Sequence, residues 1–454
     1  MTDLTKGNIF KIIIIFSLPL IVGNVFQQLY TTMDTLIVGK TLGKTALAAV
    51  GSTGSLSFLI LGFAQGLTAG LSIITAQKYG ANDLIGVKKS FATSIIYSVI
   101  ITVVLTILSL VFVEPLLIVM QTPKEILKDA QIFIGILFIG TFASIGFNLL
   151  SNIIRAIGDA RTPLFFLIIA SIVNIILEFV FILYFKWGVA GAAFATVIAQ
   201  TLSVLLGIIH IKRQIPILTL RKSDFQLSKQ DFIEHARVGF PMAFQTSIIA
   251  IGTVIMQIAL NTLGTDAVAA QSAASKIDQL AMLPLIALGT AIATFTAQNF
   301  GAKEYQRIID GLKAALVIAV GFAIIAGIII NVFGNFFTSW FINSGENEVF
   351  RFANIYYLIN GSMYWILAIL FILRYTIQGL GKGFIPTLAG IMELIARIIA
   401  AIVGTMFFGF AGTVAANPLA WIGSVAILLP STIISIRQLK KWENDKQQLH
   451  IHSY

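Results

Sequence analysis

Six ionisable side chains stand inside long apolar stretches of this sequence: Asp34, Glu178, Lys276, Asp278, Glu393 and Arg397. A charge in hydrocarbon costs at least ~2.5 kcal/mol on insertion scales, so such residues are functional candidates by default. Asp34 lies in QQLYTTMDTLIVG and Glu178 in NIILEFVFI. Asn174 precedes Glu178 by four residues, which puts both on one helical face. Thr196, on the next apolar segment, adds a hydroxyl. Two carboxylates, an amide and a hydroxyl make an oxygen-rich cluster. Carboxylates brought side by side cannot both stay bare anions, so the pair either holds a proton or coordinates Na+. Both ions suit these residues, and no metal beyond that Na+ is expected. A second group, Gln257, Asn261, Lys276, Asp278, Glu393 and Arg397, supplies candidates for a substrate cavity. Glu393 and Arg397 are spaced i,i+4 in the order that favours an ion pair. Lys276 and Asp278 are two residues apart, so they face different ways.

Helices in a bilayer must position these groups. Of the 454 residues 57% are hydrophobic and only 11% are charged, against the ~25% charged residues of a soluble domain. Twelve segments, from 9–38 to 411–440, reach the roughly 20 apolar residues a spanning helix needs. The expected fold is an all-α membrane protein of twelve transmembrane helices, with the first apolar run read as a span rather than a signal peptide. There is no cysteine, hence no disulfide or thiolate site. No HExxH or Ser-His-Asp arrangement points to an enzyme, and no cofactor is expected.

The chain repeats itself. LGKTALAA at 42–49 answers LGTDAVAA at 263–270, TAQKYGA at 75–81 answers TAQNFGA at 296–302, and GVAGA at 188–192 answers GFAGT at 409–413, each at an offset of 221. FSLPL answers VGFPM with Pro19 on Pro241, and IRAIGDARTP answers IQGLGKGFIP. Two six-helix bundles in one orientation follow, over 1–213 and 231–454, joined by a polar linker at 214–230. At the same offsets Asp34 meets Met256, Asn174 meets Arg397 and Glu178 meets Ala401, so cation chemistry belongs to the first half. Of 30 Lys and Arg, 22 fall on the side holding both termini, Arg374 counted among them, and six on the other. Both ends are therefore read as cytoplasmic, and the net charge of +10 reflects insertion rather than nucleic-acid binding.

The opening FSLPLIVGNVFQQLYTTMDTLIVG, TAQKYGA, RAIGDARTP, and NIILEFVFI followed by WGVAGAAFAT resemble the multidrug and toxic compound extrusion (MATE) family over essentially the whole chain. The resemblance implies a V-shaped pair of six-helix bundles in the cell membrane, acting as a monomer. It also implies antiport of cationic, amphipathic small molecules against H+ or Na+ by alternating access. Asp34, Asn174, Glu178 and Thr196 match the ion site of prokaryotic members of the DNA-damage-inducible type, with Glu178 departing from a shorter Asp. Pro19, which lacks an amide donor, and Gly23 form the expected hinge of the first helix. A flippase for lipid-linked precursors, from the same wider fold group, is the alternative.

Overall fold

The computed structural model describes residues 2–120, 122–342 and 346–451, and among these no strand occurs. Its helices are α1 (Ile9–Leu42), α2 (Lys44–Ser52), α3 (Gly54–Gly80), α4 (Leu84–Val119), α5 (Lys124–Ile139), α6 (Thr141–Ala156) and α7 (Arg161–Phe179). Then come α8 (Val189–Gln214), α9 (Lys229–Asn261), α10 (Thr265–Gly301), α11 (Tyr305–Thr338), α12 (Asn347–Tyr356), α13 (Tyr364–Gly379) and α14 (Phe384–Ile451). Helix is forced here because backbone groups in hydrocarbon can bond only one another.

Among the described residues, nine helices are long and apolar enough to span a membrane. Two bent pairs, α5 with α6 at 47° and α12 with α13 at 46°, each make one more. The segments 126–155 and 348–378, read from sequence as single spans, are therefore broken ones. A break inside α14 at Gly409, with φ 56° and ψ −133°, divides that helix in two. Twelve spans result among the described residues. Their outer faces are apolar at helical spacing, as in the exposed row Val99, Val103, Ile107 and Val111 on α4. A water-facing helix would carry charge there. Of the unbroken spans, those containing α3 and α10 are the most buried, at 61% against 22% for α1 and α11.

The repeat is written in the backbone. Gly43 and Gly264, Asn82 and Lys303, Gly158 and Gly381, and Gly188 and Gly409 all adopt positive φ, pairwise at offsets of 221 to 223. Gly188 (58°, −140°) and Gly409 (56°, −133°) nearly coincide in both angles. Positive φ with ψ near −135° disfavours side chains with a Cβ, so Gly188 and Gly409 are conformational requirements.

Two compact units result, one of Thr2 with Val22–Ser247 and one of Asp3–Ile21 with Ile248–Tyr454. The changeovers fall inside α1 and α9, not in the linker at 214–230. The first unit holds the start of α9: Ser90 Oγ lies 2.8 Å from both Thr75 Oγ1 and His235 Nε2, and the Tyr97 hydroxyl donates to the Phe232 carbonyl at 3.0 Å. The second unit holds the start of the chain, where Asn299 donates to the Leu4 carbonyl at 3.1 Å and Arg307 to the Gly7 carbonyl at 2.9 Å. In both units the clamp begins in the repeated TAQ motif.

Small residues let α9 approach α3. A methyl on Gly70 would stand 2.7 Å from Gly239 Cα and 2.9 Å from the Val238 carbonyl oxygen, backbone atoms that cannot swing away. Gly70→Ala is therefore expected to destabilise the protein by about 1–3 kcal/mol, the range for overpacking. Gly135→Ala, with nothing within 4 Å of its methyl, is expected to leave the midpoint unchanged or raise it. Thermal denaturation in detergent compares the two.

Candidate functional site

Asp34 on α1, Asn174 and Glu178 on α7, and Thr196 on α8 converge inside the first unit. Asn174 and Glu178 are fully buried, and Asp34 is partly so. Gly191 near the start of α8 packs on the turn that follows α7, where a methyl would lie 3.0 Å from Phe181 Cβ. Immediately after Glu178 the helix widens into a π-helical turn over Val180–Tyr184, a local irregularity common beside functional groups.

The Asn174 amide is satisfied on both sides when its NH2 group donates to Glu178 Oε1 at 3.2 Å and its carbonyl oxygen accepts the Thr196 backbone N–H at 3.2 Å. The Thr196 hydroxyl stands 3.3 Å from the same amide. The Asp34 and Glu178 carboxyl groups are neighbours. Asp34 Oδ1 and Glu178 Oε2 nevertheless have no protein donor among the described residues, and neither does the buried Tyr30 hydroxyl have a partner of normal geometry. A cluster rich in acceptors and short of donors accommodates a proton or small cation. Tyr30 was not picked out in the sequence, although it precedes Asp34 by four residues and so shares its face.

The second group divides. Gln257, Asp278, Glu393 and Arg397 line a cavity of about 450 Å3 in the second unit. Asn261 does not reach it: it is exposed and accepts from Gln257 at 2.8 Å. Lys276 is exposed and turned away, because two helical residues are ~200° apart and Asp278 takes the inward face. Glu393 does pair with Arg397, at 2.9 Å, but it also accepts from Arg374 at 2.6 Å. Arg374 is thus misplaced in the sequence count. It is 5% exposed within α13, on a helix face that charge counting at span ends cannot see. A larger cavity of about 570 Å3 in the first unit is apolar apart from a few groups such as Ser98, Thr102 and Lys212. Volume alone does not mark the chemistry.

Repeated six-span halves with ionisable clusters held at membrane depth define a multi-pass membrane transporter. The MatE family model matches residues 19–180 and again 241–428, two stretches starting 222 residues apart, and the chain belongs to that family. It is 27% identical over 350 residues to the probable multidrug resistance protein YpnP of Bacillus subtilis, covering 77% of this chain and 78% of that one. To the probable multidrug resistance protein YoeA of the same organism it is 26% identical over 398 residues, 86% and 85% of the two chains. A solved MOP superfamily transporter from Pyrococcus furiosus superposes with a TM-score of 0.89 at 24% identity, covering 96% of this chain and 98% of the other. That likeness is one of fold.

Removing the amide at the centre of the cluster should be costly. Asn174→Leu leaves Glu178 Oε1 without its amide donor, an expected loss of about 1–3 kcal/mol. The corresponding drop in thermal midpoint should disappear largely in Asn174→Gln, which retains the amide.

Proposed function

We propose that this protein is a secondary active efflux transporter that exports cationic and amphipathic small molecules in exchange for an ion bound by Asp34, Glu178, Asn174 and Thr196. The reading rests on one observation above all: two carboxyl groups side by side, next to a satisfied amide. Between H+ and Na+, that pairing supports the proton, because neighbouring carboxylates repel and one shared proton relieves the repulsion. The names of the relatives, multidrug resistance proteins, support small amphipathic cargo.

The working cycle is alternating access between the repeats at 1–213 and 231–454, in a monomer with both termini and the 214–230 linker in the cytoplasm. Pro19 and Gly23 act as the hinge. In support, α1 passes from the second unit to the first between Ile21 and Val22, inside that pair. Ion and cargo need only disfavour each other by a coupling energy of roughly 1–3 kcal/mol for exchange to proceed.

Proteoliposomes loaded with ethidium test the ion. Transport is expected under an imposed pH gradient and not under a Na+ gradient alone; the reverse result assigns Na+. Asp34→Asn should abolish transport in both while the protein inserts normally, and retained transport would remove Asp34 from the ion site. Because the chain has no cysteine, single cysteines report orientation cleanly. In right-side-out cells Asp224→Cys should resist an impermeant maleimide and Lys124→Cys should react with it.

A further inference from the structure

The repeat gives the acidic cluster a counterpart in the second unit, and there two arginines join the acids. At an offset of 222, Tyr30 meets Gly252 and Asp34 meets Met256; at 223, Asn174 meets Arg397; at 221, Thr196 meets Asn417. Met256, Arg397 and Asn417 all line the 450 Å3 cavity. Gly252 lies against the arginine, since a methyl placed on it would stand 3.4 Å from Arg397 Cδ and 3.6 Å from Nε. Where the first unit carries a tyrosine ring and an amide, the second has cleared the ring and installed a guanidinium.

The guanidinium groups there outnumber their acceptors. Arg374 Nη2 donates to Glu393 Oε2 at 2.6 Å and to Ser424 Oγ at 3.0 Å, and Arg397 Nη2 donates to Glu393 Oε1 at 2.9 Å. One carboxylate therefore serves two arginines that are 5% and 7% exposed. Arg374 Nε is buried without a partner among the described residues. Asp278, the other acid of the cavity, accepts from the hydroxyls of Tyr356, at 3.0 Å, and Tyr364. Both its oxygens are engaged. Guanidinium groups with spare N–H donors recognise planar oxyanions through paired charge-assisted bonds. In the same cavity Gln271 Oε1 is a buried acceptor with no donor, suited to an ammonium. Phe371, Leu370 and Trp421 supply the apolar wall.

We propose that this cavity binds the oxyanion of an amphipathic zwitterion, with Arg374 and Arg397 as its receptors. The proposal deepens the transport reading above and rests on it for the ligand's route across the membrane. The oxyanion is a carboxylate on a small molecule or a phosphate on a lipid headgroup, which share this chemistry.

Calorimetric titration of the full-length protein in nanodiscs tests the proposal, using ciprofloxacin, which carries a carboxylate and an ammonium, against its methyl ester. The zwitterion is expected to bind about tenfold more tightly than the ester, the equivalent of one good charge-assisted pairing. Acetate should erase the difference by competing with the zwitterion alone. Glu393→Gln frees both guanidinium groups and should tighten zwitterion binding without changing the ester, whereas a purely structural ion network would lose both alike. Arg374→Gln should remove the preference. Should the variants fail to fold, acetate competition on the unaltered protein decides. Lysophosphatidylglycerol that displaces ciprofloxacin assigns the site to a lipid phosphate, and failure to displace it assigns the carboxylate. Equal binding of acid and ester, untouched by acetate, overturns the proposal. Asp34-dependent export of the ester alongside that result leaves the transport reading standing; acid preference with no export of either compound overturns the transport reading instead.

Discussion

Hydrocarbon supplies no hydrogen bonds, so every polar group placed in a span must be answered from within the protein. Most of this chain obeys through its own helices. Thr93, Ser94, Thr102 and Thr432 each return their hydroxyl to the carbonyl four residues earlier, which hides a polar side chain without any tertiary partner. Asp278 is answered by two tyrosines and Asn174 by Glu178 and Thr196. Against that background the unanswered groups stand out. Among them, Asp34 Oδ1, Glu178 Oε2 and the Tyr30 hydroxyl lie in one unit, and Arg374 Nε and Gln271 Oε1 in the other. In the repeat Asp34 is answered by Met256 and Asn174 by Arg397, so both units differ at the same places.

That correspondence shows what the repeat preserves and what it does not. The backbone is held closely, down to positive φ at Gly188 and Gly409 or at Asn82 and Lys303. Side chains at the centre of each half are not held at all, with Asp34 answered by Met256 and Asn174 by Arg397. A shared scaffold thus carries two chemically unlike interiors, one built on a carboxyl pair and one on two arginines that share a carboxylate. Gly252 illustrates how little is needed, since the space beside it is occupied by an arginine side chain.

Much of this was legible in the residues because the signals are local and repeated. Hydropathy marks the spans, and the TAQ and glycine motifs mark turns that only certain residues tolerate. Asn174 and Glu178 announce themselves by a four-residue spacing. What stayed hidden depends on tertiary packing. Arg374 reads as a span-end cation until α13 is seen to bury it against Glu393. Asn261 and Lys276 are polar in apolar runs yet face outward, because one turn of register or two residues of rotation decides the face. The bends at Gly140 and after Gly361 leave no mark in hydropathy. Nor does the transfer of Asp3–Ile21 to the second unit, which depends on partners about 300 positions away.

Those distant partners set an order of assembly. The Leu4 carbonyl is made well before Asn299 and Arg307, which bind it and come 295 and 303 residues later. At the ~5–20 residues per second of synthesis, that segment waits on the order of 15–60 s for its final neighbours. Within that interval the first unit's own clamp at Ser90 and Tyr97 also stays empty until His235 and Phe232 arrive. Each half of the repeat needs a piece of the other, so a chain released before Phe232 would leave both units unfinished.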